Sequence, residues 1–276
     1  MLPLLSRDSL HVLKSKRWTL ALSSLLMFYS VHTQAESLLF TTEDWRPFVF
    51  ADANNVQTQM PGFSVEIVNA AFRNMGYSID YQPKPFKRQI KETQLGKYAG
   101  IVGLLASDAP NLVYPKEGVG EIRNCFYVGK HSRWHYEQPE SLRQVVLGVV
   151  GGYTYGVIDS HIWQYRDSQI YVYSGDNDKA LSRLTELLQA ERINVVVEDE
   201  AVMEFYLIQS GQKDSVKQVG CLEAQPAMVG FTPKDSRAQQ WADEFDIQLD
   251  SMRKSGELRR ILSKYGVSDW SSMQKQ

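Results

Sequence analysis

The chain has 276 residues, with 30 Lys and Arg against 32 Asp and Glu, a formal net charge of −2, and 43% hydrophobic residues. That length supports one large core or two modest ones. The absence of a basic tract beyond the opening residues argues against nucleic acid as a partner.

Arg7, Lys14, Lys16 and Arg17 give a basic start, Trp18 to Val31 is an apolar run of 14, and "HTQA" ends on Ala35 with Thr33 two positions earlier. This order predicts a secretory signal peptide over 1–35, cut after Ala35; an uncleaved anchor is the alternative. No Cys lies near the cut, which argues against a lipid-anchored product. No other stretch reaches the roughly 18 apolar residues of a membrane span. Removing the leader takes away four basic residues and one acidic one, leaving 26 against 31 and a net charge of −5. The expected product is a soluble, mildly acidic exported protein.

"SLLFTTEDW" (37–45) reads as a strand that ends in a polar turn. In the next segment Phe63, Ile67, Ala70 and Ala71 recur at helical spacing up to Gly76. "SIDYQP" is a strand, "PFKRQIKETQLGKY" a helix closed by Gly96, and "AGIVGLL" a buried strand, so the order is β-α-β-α-β and the sheet mostly parallel. Residues 107–121, with two prolines and two glycines, read as loop, and "IRNCFYVGK" as one strand. A second β/α series runs from "VVLGVV" through a glycine turn, a helix to Ile162, "QIYVYS", the helix "NDKALSRLTELLQAE", "INVVVED", a helix to Ile208, and "SVKQVG". "AMVGFTP" is a last strand, and two helices broken at Ser255-Gly256 close the chain. Two β/α series predict a two-lobed α/β protein. Cys125 and Cys221 are the only cysteines, and in an oxidising compartment the pair reads as a disulfide with a structural role.

The turn Gly151-Gly152-Tyr153-Thr154-Tyr155-Gly156 lies between a strand and a helix, where backbone N–H groups can be aimed at an anion. It is neither a Walker loop nor a dinucleotide fingerprint. No metal-ligand spacing, Ser-His-Asp arrangement or Gly-x-Ser-x-Gly is present, so no metal or cofactor is expected.

Four segments in order resemble the bacterial extracellular solute-binding proteins of family 3, the periplasmic receptors of polar amino acid ABC importers. "EDWRPFVF…PGFSVEIVNAAFRNMGY" is similar to the family's opening strand, turn and helix, and "LGKYAGIVGLL" to its strand entry. "LGVVGGYTYGVI" is similar to its second-lobe Gly-x-Thr turn, and "LDSMRKSGELRRILSKYGV" to its closing helices. "FKRQIKE", "LVYPKEGVGEIRNCFYV" and "SRWHY" further resemble a divergent proteobacterial branch. The resemblance implies a type II periplasmic-binding-protein fold with a ligand cleft between lobes joined by two crossing strands. Lobe 1 is then expected at 36–127 and 226–276, and lobe 2 at 128–225.

In the family the ligand's carboxylate lies at the N-terminus of the second-lobe helix, on backbone N–H groups and the turn hydroxyl, a position that suits an anion. The resemblance puts Thr154 at that hydroxyl, with a plain N-cap as the alternative, and Gly152 at the glycine that lets the backbone come close. Asp199 falls where an acid meets a ligand's α-ammonium, or is an ordinary N-cap. Trp45 falls on the aromatic that packs on the ligand, or is a core residue. Tyr153, Tyr155 and Trp134 could add aromatic contacts.

The sequence departs from the family at one important point: no Arg or Lys occurs from 98 to 115, where a first-lobe Arg would fork onto the carboxylate. Ala99 and Asn194 also replace family aspartates. Arg88, with Lys87 beside it, is the candidate substitute cation. The resemblance implies a monomeric, non-enzymatic receptor that binds a small polar solute, an amino acid or related carboxylate, and delivers it to the membrane permease of an ABC importer. The alternatives are a sensing subunit docked on a membrane signalling protein, or a dehydratase-like enzyme drawing on His131, His135, His161, Glu66 or Glu198.

Overall fold

The computed structural model describes residues 35–52, 54–175 and 177–270. The expected leader lies outside them apart from Ala35. Among the described residues no helix is long and apolar enough to cross a membrane.

The chain builds two five-stranded sheets. The first uses β1 (Glu36–Thr42), β2 (Tyr77–Pro83), β3 (Gly100–Leu104), β4 (Gly120–Ile122) and β10 (Gln225–Phe231), in the order β2-β1-β3-β10-β4. The second uses β5 (Asn124–Gly129), β6 (Leu147–Val150), β7 (Ile170–Tyr173), β8 (Val195–Asp199) and β9 (Val216–Cys221), in the order β7-β6-β8-β5-β9. β1 runs parallel to β2 and β3, and β6 parallel to β7 and β8. The strands next to the crossovers pair antiparallel: β10 with β3 and β4, and β5 with β8 and β9. The two-lobed α/β architecture is the one that the alternation of strands and helices predicts, but each sheet is mixed where mostly parallel pairing is expected, because the crossover strands enter antiparallel.

The single strand expected at "IRNCFYVGK" is two strands. The chain changes sheets at Arg123, whose N–H donates to the Asp199 carboxylate (2.9 Å) instead of joining a ladder. The passage between sheets therefore falls ahead of the 127/128 division read from the sequence. The return passage runs beside it: Gln225 pairs with Ile122, and Cys125 pairs with Cys221. Cys125 and Cys221 are joined in a disulfide that closes a separation of 96 residues across the two crossovers.

Helical periodicity accounts for the packing. Helix α1 (Phe63–Asn74) buries Phe63, Ile67, Ala70 and Ala71, the predicted face. α6 (Ala238–Ser255) turns Trp241, Phe245, Leu249 and Met252 onto the same core, and α7 (Glu257–Ser263) adds Leu258, Ile261 and Leu262. The break between them is at Gly256, whose φ of 75° is costly for a residue with a Cβ. In the second sheet Val195 and Val197 face one apolar cluster and Val196 the other, as a strand buried on both faces requires. α4 (Asn177–Gln189) and α5 (Glu200–Gln209) cover the side that holds Val196.

Candidate functional site

In open α/β sheets ligands gather where parallel strands end, at their carboxyl edges. Here the residues that follow β1, β3 and β6, with the last two of β8, line one cavity of about 70 Å³. Glu43 and Trp45 come from the end of β1, Gly103 to Leu105 and Asp108 from the end of β3, Tyr153 to Tyr155 from the turn after β6, and Glu198 and Asp199 from β8. Phe86, at the start of α2 (Phe86–Gln94), adds its ring, 6.5 Å edge-on from that of Tyr153. A larger chamber of about 420 Å³ adjoins it; Trp45, Tyr153 and Glu198 line both.

Trp45 stacks flat on Phe48 at 3.9 Å. The close passage of its indole explains Gly103, where an added Cβ would lie 3.2 Å from the ring and the backbone φ is +87°. The aromatic of the opening turn is thus both packed and cavity-facing.

The glycine turn departs from the sequence reading in its details. Gly152 is exposed and does not line the cavity, and a Cβ there would meet nothing within 4 Å. It is glycine because its φ is +93°, not because anything approaches its backbone. The helix that follows the turn is also short. A 3-10 turn at Gly156–Ile158 leads into α3, only Asp159–Gln164, and Asp159 Oδ1 accepts the Tyr155 N–H at 2.7 Å. The position expected to receive a ligand's carboxylate already holds one of the chain's own.

Thr154 lines the cavity, but its hydroxyl donates to Asp108 Oδ1 across the cleft at 2.6 Å. Tyr155 is 3% exposed, and its hydroxyl accepts the Val150 N–H at 2.8 Å, bracing the turn. Asp199, 2% exposed, is the N-cap of α5: Oδ1 accepts Val202 N–H while Oδ2 accepts Arg123 N–H. It also faces the cavity, so the cap and the site are one residue.

Arg88 is not at the site. Its side chain is more than half exposed and its Nε donates to Glu92 Oε1 at 2.8 Å, with Lys97 on the other Glu92 oxygen. An i,i+4 pair holds the guanidinium to its own helix. Lys87 is exposed as well. Trp134 packs on Phe126 and donates to Ser141 O, away from the cavity. His161 is buried against Tyr165, and His131 and His135 are exposed.

Sequence reasoning missed Glu43 and Asp108 and saw Glu198 only as a spare acid. A signal was available, because each follows or ends a predicted parallel strand. Burial pushes Glu198 up to about 8, against the pull of the Asp199 N–H, and Glu43 up to about 7, against the Phe86 N–H. Asp199 is pushed up to about 7 by burial despite backbone donors from Arg123, Val202 and Ala201. Asp108 is also raised by burial, in spite of the Thr154 hydroxyl. No Lys, Arg or His is among the described residues that line the 70 Å³ cavity.

Residues 38–109 match the family described as bacterial extracellular solute-binding proteins, family 3. The chain is 21% identical over 233 residues to the arginine-binding extracellular protein ArtP of Bacillus subtilis (strain 168), covering 83% of this chain and 85% of that one. Among solved structures it resembles an ancestral arginine-binding protein bound to arginine (TM-score 0.65, 22% identity, 84% of this chain and 99% of that one). It also resembles a histidine kinase sensor domain with similarity to periplasmic binding proteins (TM-score 0.66, 15% identity, 84% and 97%). The family match falls on the segment that carries the first of the sequence motifs, and the fold is that of the two-lobed binding proteins.

Proposed function

We propose that the protein is a non-enzymatic receptor that closes two lobes over a small polar solute of amino-acid size and delivers it to the membrane permease of an ABC importer. In this reading it is exported on the leader at 1–35 and works in the periplasm. The observation that carries the reading is the cavity itself: its walls come from both sheets, at their strand ends, while the paired crossovers at 122–124 and 221–225 are the only described links that must bend. Closure about such a hinge is a known way to enclose a ligand. The relatives named as arginine-binding support a solute of this size. Trp45, Tyr153, Thr154 and Asp199 are proposed as ligand contacts, Tyr155 as a brace for them.

The test is thermal unfolding against a library of amino acids, amines, dipeptides and small carboxylic acids. A specific ligand at a hundredfold its Kd adds ~2.7 kcal/mol and raises Tm by a few degrees. Small-angle scattering with that ligand should show a more compact particle. A library without a single stabilising member overturns the reading.

A further inference from the structure

We infer that the solute is a small organic cation, an amine or guanidinium compound with an apolar body and no carboxylate; this rests on the receptor reading above.

Three features of the cavity carry the inference. First, both lobes offer it carboxylates, Glu43 and Asp108 from the first sheet and Glu198 and Asp199 from the second, and no cation among the described lining residues opposes them. Glu198 is 5% exposed, lines both chambers, and has one described hydrogen bond, in which Oε1 accepts the N–H of Asp199 at 2.9 Å. No described hydrogen bond reaches its other oxygen, and the side chain lines the cavity. A buried carboxylate is stable only with donors or a positive charge to meet it. Burial raises this group to about 8, so a positive charge brought beside it would favour its ionised form.

Second, the places where a ligand carboxylate would bind are taken. The Thr154 hydroxyl is engaged by Asp108 and the Tyr155 N–H by Asp159. A second carboxylate brought to the same turn meets like charge without a counter-ion. Arg46, the one arginine among the described residues of the adjoining chamber, has its Nε on Asp44 Oδ1 at 3.0 Å and its guanidinium carbon 5.4 Å from the centre of the Phe50 ring.

Third, the shape suits an extended organic cation. Among the described residues no three acidic, His or Cys side chains converge as ligands for a metal ion. Trp45, Phe86 and Tyr153 wall the inner cavity, and Phe205 and Tyr206 continue the aromatic surface into the outer chamber. Ring faces of this kind attract a cation, and N–H donors on it can meet the carboxylates.

Matched pairs that differ only in the carboxylate test the inference: agmatine against arginine, putrescine against ornithine, tyramine against tyrosine, each titrated into the whole protein by calorimetry. The expected result is that at least one amine binds, ten-fold or more tighter than its amino acid. Glu198→Gln should weaken that amine ten-fold or more with the melting transition retained, and Asp108→Asn should narrow the gap between amine and amino acid. Amino acids that bind as tightly as their amines, or tighter, overturn the inference and leave the receptor reading intact; loss of that binding in Arg46→Ala would then place the carboxylate in the outer chamber. Amine affinity indifferent to Glu198→Gln also overturns the inference. If neither amines nor amino acids bind, the inference falls, and the receptor reading falls with it only when the dipeptides and small carboxylic acids fail as well.

Discussion

Under the first sheet, Phe40, Phe72, Phe231 and Trp241 interlock at ring-centroid distances of 5.4 to 6.4 Å, and the space is filled with hydrocarbon. A few residues further along the same strands, past Thr42 and Leu104, the walls are again aromatic, but the buried groups are carboxylates and the space between them is open. The first region does what burial does best, removing apolar area from water. The second buries ionisable groups at a cost to stability, an arrangement that stands to gain from a ligand and not from folding alone. The contrast marks the cavity as the candidate site without recourse to any motif.

Substitutions should separate the two regions. The largest effect is expected in the core: Phe231→Ala or Phe40→Ala should cost ~3–5 kcal/mol by urea unfolding, as a large side chain leaves a cavity in packed surroundings. A cost below ~1 kcal/mol would show the interlocked core to be loosely packed and blur the contrast. Next comes the disulfide. Replacing Cys125 and Cys221 together by Ser should cost ~2–4 kcal/mol, through loss of a cross-link spanning nearly the whole second lobe, with the ligand preference unchanged.

The cavity should respond with the opposite sign. Glu198 has a folded-state pKa of about 8, above its unfolded value near 4.5, so its contribution is fully present below about pH 4.5 and lost as pH rises through about 8. Glu43 and Asp199, raised to about 7, act the same way, and Asp108 and Tyr153 face the same space. The empty protein should therefore lose Tm from pH 5 to pH 8 through these groups. Glu198→Gln should flatten that slope and raise Tm at pH 8; a slope unchanged in the variant would show that the carboxylate is well partnered. The smallest effect is expected at Arg88→Ala, which should leave both Tm and ligand affinity where they were, since its described ion pair is with Glu92 on the surface.

Much of this was legible in the residues. The 3.6-residue spacing of Phe63, Ile67, Ala70 and Ala71 marks α1, and the doubled β/α alternation marks two sheets. Local signals failed where tertiary contacts decide. Arg123 looks like mid-strand, yet the chain leaves the sheet there because Asp199, distant in sequence, takes its N–H. Gly152 was read as a close-approach glycine, when only its positive φ demands one. The missing first-lobe Arg makes Arg88 the substitute cation that the sequence offers. The structure answers that gap differently: Asp108 occupies the turn hydroxyl from the opposite lobe, a contact that no spacing within either segment could have announced.

The most direct test of the central claim is the proton count on binding, from titration of the tightest ligand at pH 7 in two buffers of different ionisation enthalpy. A cation that enters the cavity lowers the raised pKa values of Glu198, Glu43 and Asp199, so net proton release is predicted. Net uptake, or no exchange at all, would contradict the account, because it would mean that the buried carboxylates do not meet a positive charge.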